Sequence, residues 1–171
     1  MHALARCASS SPAPTASAHA LVFDAPGEPQ SVLSLRELPV VPPGEGEISV
    51  RFLLSPINPS DINTVEGKYP LRPELPGVPG HEGVGEVTAL GPKVDGLSIG
   101  DRVVPLEACV GTWRSVGTFP VASFHRVQSD ISLEAAATLC INPPSALAML
   151  ERFVTMSPGD VVVQIEQATS L

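Results

Sequence analysis

The sequence predicts a mostly β domain with short helices, and three observations carry that prediction. Prolines and glycines are abundant, 19 and 14 in 171 residues, which favours turns and short strands over a helical bundle. Several stretches alternate apolar and polar residues with the period of two that marks a half-buried strand. Past residue 130 the period lengthens to that of a helix. A meander of short strands of this kind suits a partly open β-barrel.

LVF at 21–23 and LSLREL at 33–38 read as strands on either side of a PGEP turn. In EISVRFLL, 47–54, Ile48, Val50, Phe52 and Leu54 share one face behind a PPGEG turn. A short helix follows in NPSDINTVEG: Asn58 suits the cap, Pro59 the first position, Asp61 the positive end, and Gly67 the termination. Tyr69 then falls in the loop just past that helix. EGVGEVTALG and GDRVVPL are further strands, with Gly83, Gly85 and Gly91 marking bulges or close backbone approach. SLEAAATLC sets Leu133, Ala136, Ala137 and Cys140 on one helical stripe behind a Ser132 cap. PSALAMLERF sets Leu147, Leu150 and Val154 along a second helix begun near Pro143 and Pro144, and the two helices are expected to close the barrel-like part. The run GDVVVQI resembles a strand buried on both faces of a parallel sheet, where helices must cover it. No internal repeat is present.

Composition narrows the function classes. A chain with 43% hydrophobic and 16% charged residues has the means to build a core. Ten Lys plus Arg against 18 Asp plus Glu give a net charge of -8, a poor match for nucleic acid. No apolar run approaches the roughly 20 residues that span a bilayer. Cys7, Cys109 and Cys140 are far apart and form no CxxC, so neither a disulfide framework nor a zinc knuckle is readable, and a reducing compartment fits. Residues 1–20 are expected to be a transit peptide or a disordered leader, because MHALARCASSSPAPTASAHALVF carries one arginine, many Ser and Ala, and no acid before Asp24.

Two chemistries compete in EGKYPLRPELPGVPGHEG, 66–83. GHEGVGEVTALGPKV, 80–94, matches a local pattern of zinc alcohol dehydrogenases, in which the histidine is a metal ligand. A catalytic zinc takes three protein ligands and an open fourth position. Where those enzymes place a cysteine before a short Ser/Thr-Asp helix, this chain has Pro59, which has no lone pair to offer. Cys140 lies on an apolar stripe and reads as a small buried hydrophobe. The expectation is therefore no zinc, with His81 hydrogen-bonded beneath the strand it introduces.

INPSDINTVEGKYPLRPELPGVPGHEGVGEV at 57–87, GTWRSVGTF at 111–119 and AAATLCINPPSALAML at 135–150 together resemble the mitochondrial enoyl thioester reductases, zinc-free members of the medium-chain dehydrogenase/reductase superfamily. The resemblance runs from about Leu21 to about Gln164 and implies a GroES-like domain over 21–142. The first helix and strand of a truncated Rossmann nucleotide-binding domain are then expected over 143–171. It implies NADPH-dependent reduction of trans-2-enoyl thioesters in mitochondrial fatty-acid synthesis, in the matrix. The acyl group would come on acyl carrier protein or coenzyme A. Tyr69 takes the place of the catalytic acid and Asn142 that of the asparagine that contacts the nicotinamide nucleotide. Lys68, Arg72, Trp113 and Arg114 become candidate substrate-binding residues. Lys68 and Arg72 fit a pantetheine phosphate or plain solvated charges, and Trp113 fits an acyl-site wall or the core.

The chemistry suits a phenol. Hydride addition to the β-carbon builds negative charge on the thioester oxygen, and a phenol, protonated near neutrality, can donate a hydrogen bond or a proton there without a metal. In the family a Gly-rich turn after the first Rossmann strand holds the pyrophosphate. IEQATSL has no glycine, so the NADPH site is expected to be incomplete, the chain inactive alone and most of the family's homodimer interface absent. A quinone reductase, a zinc alcohol dehydrogenase relative and a non-enzymatic product remain alternatives.

Overall fold

The computed structural model describes residues 16–163. Its elements are β1 (Ala16–Val22), α1 (Pro29–Val32), β2 (Ser34–Val40), β3 (Glu47–Leu54), α2 (Pro59–Val65), β4 (Val84–Leu90), β5 (Arg102–Pro105), β6 (Val116–Pro120), β7 (Phe124–Arg126), α3 (Leu133–Ala137) and α4 (Asn142–Arg152). A turn of 3-10 helix, Val121–Ser123, separates β6 from β7. β1 and β2 form an antiparallel ribbon, and the other strands form an antiparallel sheet in the order β6-β3-β4-β5-β7. The sheet keeps two edges, β6 and β7, rather than closing into a barrel. The ribbon is tied to it where Leu21 N–H donates to the Trp113 carbonyl (3.0 Å) and Ser115 N–H to the His19 carbonyl (2.8 Å).

The period-two pattern becomes a sheet with two apolar faces. Ile48, Val50, Val87, Val103 and Phe124 are buried on one side, and Phe52 and Phe119 pack against them. Each fully buried aliphatic side chain there contributes about 1.5–3 kcal/mol. Val104, next to Val103, necessarily points the other way. It joins Val84, Val127, Ala136 and Ala137, so α3 covers that second face. The glycines of the β4 region answer to space, as expected: a Cβ on Gly91 would overlap the carbonyl oxygen of Gly44. The β3–β4 register shifts at Ser49/Val50 and again at Phe52/Leu54.

Several expectations are corrected. β1 starts at Ala16, five residues before the 21–23 reading, because its ladder to β2 runs back to Ala16 opposite Val40. Of the expected leader, residues 1–15 lie outside the described part. α1 stands beside the PGEP turn, where four residues are too few to show a helical period. α3 ends at Ala137, with Thr138 as its C-cap, so Cys140 lies in the following turn. Its half-buried side chain still packs against the second core, as a small hydrophobe would. α4 buries no residue, and Leu147, Leu150 and Val154 stay exposed, because no surface among the described residues faces them. Val161, Val162 and Val163 are exposed and form no strand, since no described strand pairs with them, and residues 164–165 lie outside the described part. Among the described residues no helix is long and apolar enough to cross a membrane.

Candidate active site

The site is organised by α2. Asn58 is its N-cap, and Asp61 at the third helical position completes a capping box, its carboxylate accepting the Asn58 backbone N–H at 2.7 Å through Oδ2. Its Oδ1 accepts the His81 backbone N–H at 2.9 Å, tying the helix start to the segment before β4. Asp61 is fully buried, as are Thr64 and His81 to within a few per cent.

Thr64 settles how His81 is held. The hydroxyl lies 2.8 Å from the Ser60 carbonyl and 2.8 Å from His81 Nε2. A hydroxyl has one proton. With that proton given to the Ser60 carbonyl, Nε2 carries a hydrogen and donates it to Thr64, and the Asp61 carboxylate at 3.8 Å favours a hydrogen there. Thr64 is the nearer of the two hydrogen-bonding partners of Nε2, the other being Cys109 Sγ. Among the described residues no three His, Cys, Asp or Glu side chains converge to hold a metal ion.

Tyr69 is placed by the end of the same helix. Gly67 turns the chain at φ +75, and the N–H groups of Lys68 and Tyr69 both donate to the Asn63 carbonyl, at 2.8 and 3.0 Å. The half-buried ring stands edge-on to His81, centroids 4.9 Å apart and planes at 90°. Cys109, a non-glycine residue at positive φ, closes the cluster with Sγ 3.8 Å from His81 Nε2. Burial, and then the negative Asp61, raises that thiol's pKa. Lys68 and Arg72 are exposed and locally engaged: Lys68 pairs with Glu66 at 2.9 Å, and Arg72 donates to the Gly67 carbonyl at 2.8 Å.

Trp113 and Arg114 are on a separate apolar groove of about 370 Å³ that Phe52 and Ile57 also line. Trp113 is half-buried, with its indole N–H on the Pro56 carbonyl (3.2 Å). The Arg114 Nε–H donates to the Gly111 carbonyl (2.7 Å) and its guanidinium lies 5.5 Å from the centre of the Phe119 ring. Burial lowers its pKa from the usual arginine value. Asn142, at the first residue of α4, is exposed and donates to Asn58 Oδ1 at 3.2 Å. The structure thus brings Tyr69, His81, Thr64, Asp61 and Cys109 together, and Asn142 together with Asn58. No hydrogen bond among the described residues joins Tyr69 to Trp113, Arg114 or Asn142.

Sequence reasoning passes over three residues. Glu82, buried to within 1% and bonded to Asn58, stands out in the sequence only as the neighbour of His81. Thr64 and the Asn58 side chain have no role there beyond the helix. A signal was available for the first: a carboxylate between His81 and Gly83 in a glycine-rich apolar run, with no lysine or arginine nearer in sequence than Arg72 and Lys93.

Burial, the largest influence, raises the Asp61 carboxyl above its ordinary value of 3.8, while the Asn58 N–H, His81 and the His81 N–H pull the other way. A carboxyl with a raised folded pKa holds more protons folded than unfolded between the two values, so its contribution weakens the fold as pH rises through that window. Wild type is therefore expected to lose stability relative to Asp61→Asn as pH climbs from below about 4 towards neutrality, as read by urea unfolding of both proteins. A stability difference that does not vary with pH would contradict the raised value.

Comparison with known proteins places this geometry in a family. The family model described as the alcohol dehydrogenase GroES-like domain matches residues 44–129. The chain is 45% identical over 152 residues to a mitochondrial enoyl-(acyl-carrier-protein) reductase of Arabidopsis thaliana, covering 89% of this chain and 40% of that protein. It is 43% identical over 163 residues to the Homo sapiens protein of the same description, covering 95% and 44%. The chain therefore spans less than half the length of these relatives. A solved complex of Etr1p with NADP and crotonyl-CoA superposes with a TM-score of 0.81 at 30% identity, covering 85% of this chain and 46% of that one. The matched segment begins just before β3 and ends after β7, taking in α2, the Tyr69 loop, His81 and the Trp113 segment, and the chain belongs to the alcohol dehydrogenase GroES-like domain family.

Proposed function

We propose that this chain is the substrate-side part of an NADPH-dependent reductase of trans-2-enoyl thioesters, acting in the mitochondrial matrix, with Tyr69 as the proton donor. The carrying observation is the Tyr69 ring held edge-on to a buried His81 by a loop anchored on Asn63. His81 in turn is pinned by Thr64 and Asp61, so the phenol stands on a rigid support rather than on a free loop. Relatives described as mitochondrial enoyl reductases, and a neighbour solved with NADP and crotonyl-CoA, support the substrate class.

The residues present fit one part of a dinucleotide. Asn142 is exposed, and with its N–H on Asn58 it offers its carbonyl oxygen to a hydroxyl or amide donor. NADPH, when bound, supplies the hydride that reaches the β-carbon. The chain itself handles the charge and the proton: the Tyr69 O–H meets the charge developing on the thioester oxygen and provides a proton for the α-carbon. The apolar groove beside Trp113 suits an acyl chain, and its roughly 370 Å³ is within the size of a small-molecule site. Lys68 and Arg72 are close enough in sequence to Tyr69 to meet a carrier's phosphate by exchanging their present local partners.

The test joins this chain in frame to the nucleotide-binding half of a mitochondrial relative and monitors NADPH oxidation with crotonyl-CoA. Oxidation that depends on the enoyl thioester is expected. A chimera that binds NADPH yet leaves crotonyl-CoA untouched would refute the reading.

A further inference from the structure

Glu82 poses a physical problem that the proton-donor chemistry does not answer. It is only 1% exposed, and no described ion pair supplies it with a cation. An uncompensated buried carboxylate costs several kcal/mol, so its oxygens must be met by donors. They are met by three. Oε1 accepts from the Asn58 side-chain amide at 2.8 Å, and Oε2 accepts the backbone N–H groups of Cys140 and Ile141, each at 3.2 Å.

Those donors come from two places that the chain separates widely. Asn58 opens α2, whereas Cys140 and Ile141 form the turn that leads into α4. The next residue is Asn142, and its amide returns to Asn58 Oδ1. The contacts close a ring: Glu82 to Asn58, Asn58 to Asn142, and Asn142 through its own main chain back to Glu82. An exposed asparagine at a helix start would otherwise sample several rotamers. Here its backbone and its side chain are both anchored, directly or at one remove, to a single buried carboxylate.

We propose that Glu82 is a positioning residue for Asn142, setting the orientation of its carboxamide before any dinucleotide arrives. The functional half of this inference rests on the reading that Asn142 meets the nicotinamide nucleotide; the structural half does not. Glu82→Gln preserves shape but turns one acceptor into an NH2 group, which either faces the two backbone N–H groups, donor against donor, or makes the Asn58 amide, and with it the Asn142 amide, turn over.

Amide exchange and side-chain NMR on the 171-residue chain read the structural half. Glu82→Gln is expected to speed exchange at Cys140 and Ile141 by about tenfold and to shift the Asn142 side-chain NH2 resonances, leaving the His81 N–H on Asp61 unchanged. Asn58→Ala keeps the carboxylate and its two backbone bonds while cutting the bridge. It should release the Asn142 amide with Cys140 and Ile141 still protected, and it serves where Glu82→Gln fails to fold. Asn142 resonances unmoved in either folded variant would overturn the proposal, even if stability fell. No dinucleotide or thioester enters these readouts, so their outcome is independent of the reductase assay. In the chimera, Glu82→Gln should raise KM for NADPH by about tenfold and change KM for crotonyl-CoA by less than about twofold. A fall in kcat with both KM values unchanged would mean a smaller active fraction and would reduce Glu82 to a structural role.

Discussion

Tyr69→Phe in the chimera is expected to lower kcat for crotonyl-CoA reduction by about 10²- to 10⁴-fold, the range for loss of a positioned general acid. The substitution removes one oxygen and nothing else. The ring keeps its edge-on contact with His81, and the backbone bonds of Lys68 and Tyr69 to Asn63 do not involve the side chain. Folding and the groove beside Trp113 should therefore be untouched. NADPH affinity should change by less than about twofold, because the residue given to the nucleotide, Asn142, is held by Asn58 and not by Tyr69. Stopped-flow turnover with a separate fluorescence titration of NADPH checks both parts. Wild-type turnover in the variant would remove Tyr69 from the mechanism; a parallel loss of NADPH binding would mean that the hydroxyl acts on the cofactor side.

The second large effect concerns stability. Gly80→Ala is expected to cost about 3–5 kcal/mol, combining backbone strain with a steric clash. Gly80 sits at φ +107, where a side chain is strained in any surroundings. A Cβ would also press on the Thr112 hydroxyl and stand 2.7 Å from Trp113 Cδ1 and 2.8 Å from the Thr112 nitrogen. The contact cannot relax cheaply, because the Gly80 carbonyl accepts N–H groups from Gly111 (3.0 Å) and Thr112 (3.2 Å) and the Thr112 hydroxyl is bonded to the Glu82 carbonyl (2.8 Å). Gly96 supplies the control. It also has positive φ, +81, but nothing within 4 Å of its would-be Cβ, so Gly96→Ala should cost only about 1 kcal/mol. Equal urea midpoints for the two variants would show that the packing between the His81 and Trp113 segments is looser than described.

Local pattern makes much of the scaffold readable. The bounds of β3, 47–54, are legible from its period-two alternation, a property of the segment itself. The expected buried face holds only for Ile48, Val50 and Phe52: Leu54 is exposed beyond the register shift, and Ser49 is buried on the other face. Local residues also make α2 legible, from Pro59 and Asp61, and the loop carrying Tyr69, from Gly67. Reading fails where an element is too short to show a period. β7 has three residues, α1 has four, and β6 ends in a proline, so each looks like turn until its partner is present. The VVV run at 161–163 fails in the opposite sense: its composition asks for a sheet, and no described strand meets it.

By itself the sequence determined the β-rich class, the helix cap region, the Tyr69 loop and the motifs that carry the family resemblance, since each is written in neighbouring residues. The tertiary structure alone decided what the polar side chains do. Asn58 looks like a capping side chain, but its amide also bridges Glu82, 24 positions on, and Asn142, 84 positions on. His81 Nε2 meets the Thr64 hydroxyl from 17 positions away, and the Tyr69 ring stands edge-on to the imidazole from 12 positions away. Apolar patterning constrains which face is buried. Which buried donor meets which acceptor depends on where distant segments come to lie, and the cost of leaving any of them unmet makes one arrangement hold.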